Sequence, residues 1–309
     1  MNILVTGATG FIGRNLVEEL VKNSANNVFC LVRNTSNLKL LKHLRVEFIY
    51  SDIVDFESLK KTVTKKFDVV FHCAAYVGNS DKDRLYRDNV LGAENIFRLS
   101  LELGVDKVIH LSSVAVATGN SQIPLTEDLP LNATNPYGIS KVKAEKIALD
   151  YRTAGLNIAL IRPTMVYGQR EPHLMRLMLS LLKKRLYPLI NRGKHKFHLV
   201  YVKTVVDALI FAMNEDRCLE GAYFVADKEV LTNKEAMTIM AEAIGAKPPW
   251  NVPLFLSKLV LKLPHVGNQL KFFQKDRQYS TQKLESLGFK FRYPAKESLV
   301  KSCQWFVTK

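Results

Sequence analysis

No apolar run in the sequence reaches the ~18 residues that a membrane span needs, so no transmembrane helix is expected. The four cysteines, Cys30, Cys73, Cys218 and Cys303, lie far apart and form no C-x-x-C pair. That spacing suits neither a zinc ribbon nor a disulfide framework, and no metal site is read. Residues 2–6 already read as a strand and leave no room for a secretory leader, so a soluble cytoplasmic protein with reduced thiols is the expectation. Acidic residues are missing between residues 172 and 206, where Arg176, Lys183, Lys184, Arg185, Arg192, Lys194, Lys196 and Lys203 fall. The net charge of +15 is accordingly lopsided, with 19 Lys+Arg against 17 Asp+Glu over residues 1–160 and 25 against 12 over residues 161–309. Such a field attracts a phosphorylated substrate or an anionic membrane surface, or is only a solvated basic face. No aromatic-rich RNA motif or zinc finger accompanies it, so no specific nucleic acid is expected. Peripheral membrane contact through the basic C-terminal half stays open.

What is present is a rhythm. With 309 residues, 47% of them hydrophobic, the chain suits one large α/β domain or a domain with an appendage. Short β-branched runs at 3–6, 28–32, 46–50, 69–72, 108–112 and 158–161 alternate with amphipathic stretches such as FIGRNLVEELVKN, where Ile12, Leu16 and Leu20 share a face. Six strands with intervening helices predict an α/β fold: a Rossmann-type doubly wound parallel sheet with helices on both faces. Beyond Arg162 the rhythm loosens. HLMRLMLSLLKKR, NKEAMTIMAEAIGA and DRQYSTQKLESLGFKF read as helices, the last with a glycine stop, and GAYFVAD reads as a strand. Residues 1–165 are expected to bind a dinucleotide. Residues 166–309 should form a smaller α/β substrate-binding cap, interleaved with the first part as one unit.

The first strand runs into VTGATGFIGRNL, with Gly7, Gly10 and Gly13 each three residues apart. Only glycine lets backbone approach a pyrophosphate closely and lets a helix N-terminus face it, so Gly7, Thr9, Gly10, Phe11, Ile12 and Gly13 are candidate cofactor residues. At the end of the second strand, where the adenosine ribose is expected, stands Arg33. A guanidinium suits a 2′-phosphate, whereas an acidic residue would suit a 2′-hydroxyl, so NADP is expected before NAD. Asp52 and Ile53 after the third strand, and the small Ala74 and Ala75 after the fourth, complete the candidate cleft.

The fifth strand ends in VIHLSSVAV, and 24 residues after Ser113 comes Tyr137-x-x-x-Lys141. Residues four apart on a helix share a face, so a phenol and an ammonium can address one ligand. A tyrosine at its usual pKa of ~10 is a poor base, and a neighbouring charge from Lys141 is expected to favour its phenolate. Ser113 would hold the substrate oxygen, with Ser112 a near rival. A second pair, Tyr279 and Lys283, has the same spacing but no serine-ended strand before it, and is read as structural.

With these motifs in hand, the chain resembles the extended short-chain dehydrogenase/reductase superfamily, in its NAD(P)-dependent epimerase/dehydratase-like branch. TGATGFIG at 6–13, Asp52, NVLGAENI at 89–96, LSS at 111–113, YGISK at 137–141 and RPTMVYG at 162–168 carry the resemblance over nearly the full length. It implies that Ser113, Tyr137 and Lys141 are the catalytic triad, with Lys141 also on the nicotinamide ribose. Asn89 would support the active site, and Pro163 and Thr164 would place backbone against the nicotinamide.

Relatives acting on nucleotide sugars commonly carry an arginine just before the stretch that here reads FHLVYVKTVVDA. Phe197 and His198 stand there, and Lys203 and Thr204 replace a frequent acidic pair. The segments LVRN, SSVAV and SLGFKF are more similar to relatives acting on hydroxysteroid-like or dihydroflavonol-like alcohols and ketones. A dehydrogenase or reductase is the first expectation. A nucleotide-sugar 4-epimerase or a dehydratase is the alternative, with Arg192, Lys194 or Lys196 meeting the diphosphate. Val114 and Ala115, where dehydratases place acids, make dehydration the weakest of these chemistries. A non-catalytic sensor is disfavoured because the tyrosine and lysine are retained. VPLFLSKLVLKLPHVGNQLKFF, with Phe255 and Leu259 edged by Lys258 and Lys262, reads as a core helix, a pocket lid or a membrane-resting segment. Two-fold dimers are common among relatives, and the helices around 84–103 and 141–152 are where a homodimer contact is to be sought.

Overall fold

Along the first strand, β1 (Asn2–Thr6), Ile3 and Val5 enter one layer of the core and Leu4 the other. The same period of two recurs in β2 (Asn27–Val32), β4 (Val69–His72), β5 (Lys107–Leu111) and β6 (Ile158–Pro163), so these strands are buried on both faces. The computed structural model describes residues 1–172, 174–252 and 276–308. With β3 (Val46–Tyr50) and β11 (Ala222–Val225), these strands make a seven-stranded parallel sheet in the order β11-β6-β5-β4-β1-β2-β3.

Helices cover both faces. Leu16, Val17 and Leu20 of α1 (Phe11–Leu20) pack on one, beside Val205, Leu209 and Ala212 of α7 (Val202–Asn214). Leu59 of α2 (Phe56–Thr62), Ile96 and Leu99 of α4 (Gly92–Glu102) and Ala144 and Ala148 of α5 (Pro136–Thr153) pack on the other. A short α3 (Lys82–Leu85) leads through a π-helical turn at Tyr86–Leu91 into α4. This is the doubly wound sheet read from the sequence. The strand in GAYFVAD, assigned to the C-terminal part, is in fact the seventh member of the main sheet, paired with β6.

The cap joins three short strand pairs: β7 (Met165–Tyr167) with β10 (Leu199–Tyr201), β8 (Pro188–Ile190) with β13 (Trp250–Val252), and β9 (Lys196–Phe197) with β12 (Leu231–Thr232). Around them lie α6 (Leu174–Lys183), α8 (Asn233–Ala243) and α10 (Ala295–Val307), with Met175, Met178, Met237, Met240 and Leu299 in a separate apolar cluster. The expected helix in DRQYSTQKLESLGFKF is shorter than its pattern, α9 (Gln282–Ser286), because Arg277 and Tyr279 run extended and bridge to Phe197 and Leu125. The glycine stop holds, since Gly288 has φ +103°. The amphipathic stretch with Phe255, Lys258, Leu259 and Lys262 lies outside the described residues. No helix among the described residues is long and apolar enough to cross a membrane.

Candidate active site

The strand order decides where the chemistry can assemble, because β1 and β4 are neighbours and their C-terminal ends open the crevice where a doubly wound sheet takes its ligand. Gly7 bends away from β1 with φ +66°, and a Cβ there would lie 2.6 Å from the Ala74 nitrogen. At Gly13 a Cβ would lie 2.3 Å from the Gly7 oxygen, so the loop closes on itself only with glycine at both positions. Asp55, Asp81, Asn135 and Thr232 cap their helices with side chains, but Gly10 at the head of α1 cannot. The first N–H groups of α1, from Phe11 onward, therefore keep their positive end for an anion. Thr9 and Gly10 are exposed beside it and Ile12 is half-buried.

Arg33 sits exposed just past β2, its own N–H donating to Ser36 Oγ at 3.0 Å, and makes no ion pair among the described residues. Half-buried Asp52 and Ile53 follow β3, and the Ile53 carbonyl accepts from Asn95 Nδ2 at 2.9 Å. The Ala74 N–H donates to Thr6 Oγ1 at 3.2 Å, and Ala75 is exposed beyond it. Pro163 ends β6 in register with Val225, and Thr164 is tied by its N–H to the Val225 oxygen at 2.9 Å. The Thr164 hydroxyl is buried with no partner among the described residues. A bend without side chains, an uncapped helix and a free buried hydroxyl on one rim fit a nicotinamide dinucleotide.

On that rim stand the predicted catalytic groups. Asn135 caps α5 through Gly138 N–H at 2.8 Å with Pro136 behind it, so Tyr137 enters at the first turn and Lys141 one turn later. The Tyr137 phenol faces the Ser113 side chain closely enough for that hydroxyl to favour its charged form. Ser112 points into the interior, 3% exposed and with no partner among the described residues, so the serine facing the tyrosine is Ser113. Lys141 is 2% exposed and its Nζ donates to the Leu111 oxygen at 2.9 Å. The three groups converge on the end of β5.

Their charge states depart from the expectation. Burial pushes the Tyr137 phenol up to about 12, against a lowering from the Ser113 hydroxyl. Burial also pulls the Lys141 ammonium down to about 8, against raising by Glu145 and Cys73. Removing both groups from water outweighs the help expected from the lysine, and the phenol rests protonated.

Several supporting residues were not read from the sequence. Glu145, one turn below Lys141, is clamped by Arg162 through Nε at 2.8 Å and Nη2 at 2.7 Å, both side chains buried. Asn89, expected to support the active site, takes the Tyr76 N–H at 2.7 Å and donates to the Tyr76 oxygen at 3.0 Å and to Ser140 Oγ at 2.9 Å. Ser140 in turn donates to the Tyr137 oxygen at 2.7 Å, which links Asn89 to the first turn of α5. Asn79 accepts the Tyr137 N–H at 3.3 Å. The second Tyr-x-x-x-Lys is structural as read: Tyr279 is 5% exposed and its N–H donates to His198 Nδ1 at 3.1 Å.

Beneath Lys141, His72 and His110 stack with ring centroids 5.2 Å apart, and both are fully buried. Burial and then the Lys141 charge hold His72 down to about 3 and His110 well below its ordinary value. An unfolded histidine titrates at ~6.5. Below that value the unfolded chain binds protons that the folded chain refuses, so stability falls as the pH drops, by about 2 kcal/mol per histidine at about pH 5. His110→Leu is therefore expected to lose less unfolding free energy than the parent between about pH 7 and about pH 5. Urea titrations whose slopes with pH are the same for both proteins would refute this.

A doubly wound sheet with an uncapped glycine bend, and a serine, a tyrosine and a lysine at the next crevice, define an enzyme that works with a nicotinamide dinucleotide. The model of the NAD dependent epimerase/dehydratase family matches residues 3–226, and the chain belongs to that family. It is 30% identical over 315 residues to the putative UDP-glucose 4-epimerase of Methanocaldococcus jannaschii, covering 98% of this chain and 97% of that one. Against the sterol-4-alpha-carboxylate 3-dehydrogenase, decarboxylating, of Bos taurus the identity is 29% over 266 residues, covering 82% and 72%. The crystal structure of the UDP-glucuronic acid 4-epimerase from Bacillus cereus in complex with NAD superposes with a TM-score of 0.81 at 22% identity, covering 100% and 99%, which is a likeness of fold. The chain is thus an NAD(P)-dependent dehydrogenase, reductase or epimerase.

Proposed function

We propose that the chain transfers a hydride between a nicotinamide cofactor, NADP(H) in preference to NAD(H), and an alcohol or ketone of an apolar, hydroxysteroid-like or dihydroflavonol-like molecule. The observation that carries the substrate class is the approach to β10. Phe197 and His198 are 4% exposed, and the imidazole accepts the Tyr279 N–H while its Nε2 donates to the Asp227 oxygen at 2.7 Å. A neutral ring held by two backbone partners offers no charge to a diphosphate, where nucleotide-sugar relatives carry an arginine. The likeness to a sterol dehydrogenase points the same way.

When bound, the nicotinamide supplies or accepts the hydride. Ser113 would hold the substrate oxygen and Tyr137 would hand it a proton. With its phenol raised to about 12, Tyr137 is loaded as an acid at neutral pH, which suits ketone reduction. Lys141, charged below about 8, would face the nicotinamide ribose from the same side of α5.

Arg33 would hold the 2′-phosphate. Arg33→Ala is expected to weaken NADPH binding by roughly 10- to 100-fold, the worth of charge-assisted hydrogen bonds, and to leave NADH within about twofold. Equal losses in fluorescence titrations would remove the 2′-phosphate role.

The match to a putative UDP-glucose 4-epimerase along nearly the whole chain favours a second reading, epimerisation with retained cofactor. Deuterium-labelled NADPH offered with a panel of ketones and nucleotide sugars separates the two. Net transfer into product means a reductase, whereas C4 inversion without net cofactor consumption means an epimerase.

A further inference from the structure

At the C-terminal end of α6 the chain turns through Lys183, Lys184 and Arg185 to Leu186 before entering β8. These three cations are exposed and make no ion pair among the described residues. Beside them Leu186 is 58% and Trp250 48% exposed. Trp250 pairs with Pro188 across β13 and β8, and its indole N–H donates to the Arg185 oxygen at 3.0 Å, which places ring and cations on one patch. Leu177, 37% exposed, lies two turns back on the same helix. Cations at a helix C-terminus complement its dipole. That accounts for the lysines but not for a leucine and a tryptophan left in water among them.

We propose that this patch docks on an anionic lipid bilayer. The pairing of a tryptophan whose polar edge is already satisfied with a leucine and three uncompensated cations matches the layering of a bilayer surface, apolar below and negative above. The charge of the whole region agrees, since no acidic residue occurs between residues 172 and 206. Binding here is separate from the hydride chemistry and needs neither substrate nor cofactor.

The test is sedimentation of the full chain with vesicles of phosphatidylcholine alone, or of phosphatidylcholine with phosphatidylglycerol, at ~0.1 M salt. Binding is expected only to the anionic vesicles. Replacing Lys183, Lys184 and Arg185 together by Gln should weaken it by on the order of 100-fold, at roughly fivefold per charge. Leu186→Ser with Trp250→Ser should weaken it about tenfold with no change in charge. NADPH titration of each variant reports an intact fold. In a Trp305→Phe background, Trp250 emission should shift to the blue on anionic vesicles, a reading that needs no disruptive variant. Failure to sediment, equal binding to neutral vesicles, or an unshifted emission from bound protein overturns the proposal. So does retention of single-stranded RNA as tight as that of vesicles and unaffected by the Leu186 and Trp250 changes, which would make the patch a polyanion site.

Discussion

Tyr137→Phe is expected to cut turnover by roughly 10²- to 10⁴-fold, the usual worth of a positioned general acid, while NADPH binding stays within a few-fold. The phenol stands beside Ser113 at the end of β5, and phenylalanine keeps its volume without its proton. The pH profile gives an independent view. Lys141 loses its charge near 8 because burial disfavours the ammonium, so turnover should decline as the pH rises through that value. Stopped-flow label transfer across about pH 6 to about pH 10 measures both. Residual turnover within tenfold of the parent, with net transfer into product, would show that another group delivers the proton.

The second large effect is expected below the site. Arg162→Met strips a buried carboxylate of its bidentate partner, and breaking such a pair costs about 3–5 kcal/mol. Loss of the Glu145 charge has a further consequence, because that charge raises Lys141. Glu145→Leu combined with Arg162→Met should recover much of the unfolding free energy, since an apolar pair replaces an ionic one. The same double variant should bring the alkaline decline of turnover to lower pH. Urea unfolding and the pH profile thus report different things about one pair. A single Arg162→Met loss under about 1 kcal/mol would mean that the pair is effectively solvated.

Much of this was readable in the letters. The six strands of the first half fall within a residue or two of their apolar runs, and in all but the edge strand β3 burial on both faces leaves few polar positions to blur the ends. The glycine bend and the Tyr137–Lys141 pair were legible because their chemistry needs particular residues at fixed spacing. Less legible was anything decided by distant pairing. Ala222–Val225 looks like any short strand, and only the exposed edge of β6 makes it part of the main sheet. The clamp on Glu145 left a faint trace, an arginine inside the apolar run IALIRP, and the stacked histidines left a similar one at the ends of VVFH and KVIHL. A charge or imidazole at a position that must be buried signals a partner without saying which. The raised phenol was not legible at all, since the sequence tells that a lysine is near but not how much water is gone.

The position of β11 also bears on how the molecule comes together. The ribosome delivers six strands, then more than fifty residues that include part of the cap and α7, and only afterwards the strand that seals the margin of the sheet. Until that late segment arrives, β6 presents a row of unpaired amides, the kind of open margin on which chains stick to one another. The segment between is therefore held at both ends, leaving the sheet at Pro163 and rejoining it at Ala222, like a clasp whose hinge and catch sit on neighbouring strands. Anything that pulled the cap away as a body would strain the strand that carries Arg162 and leads into Thr164, and so would be felt at the cofactor crevice.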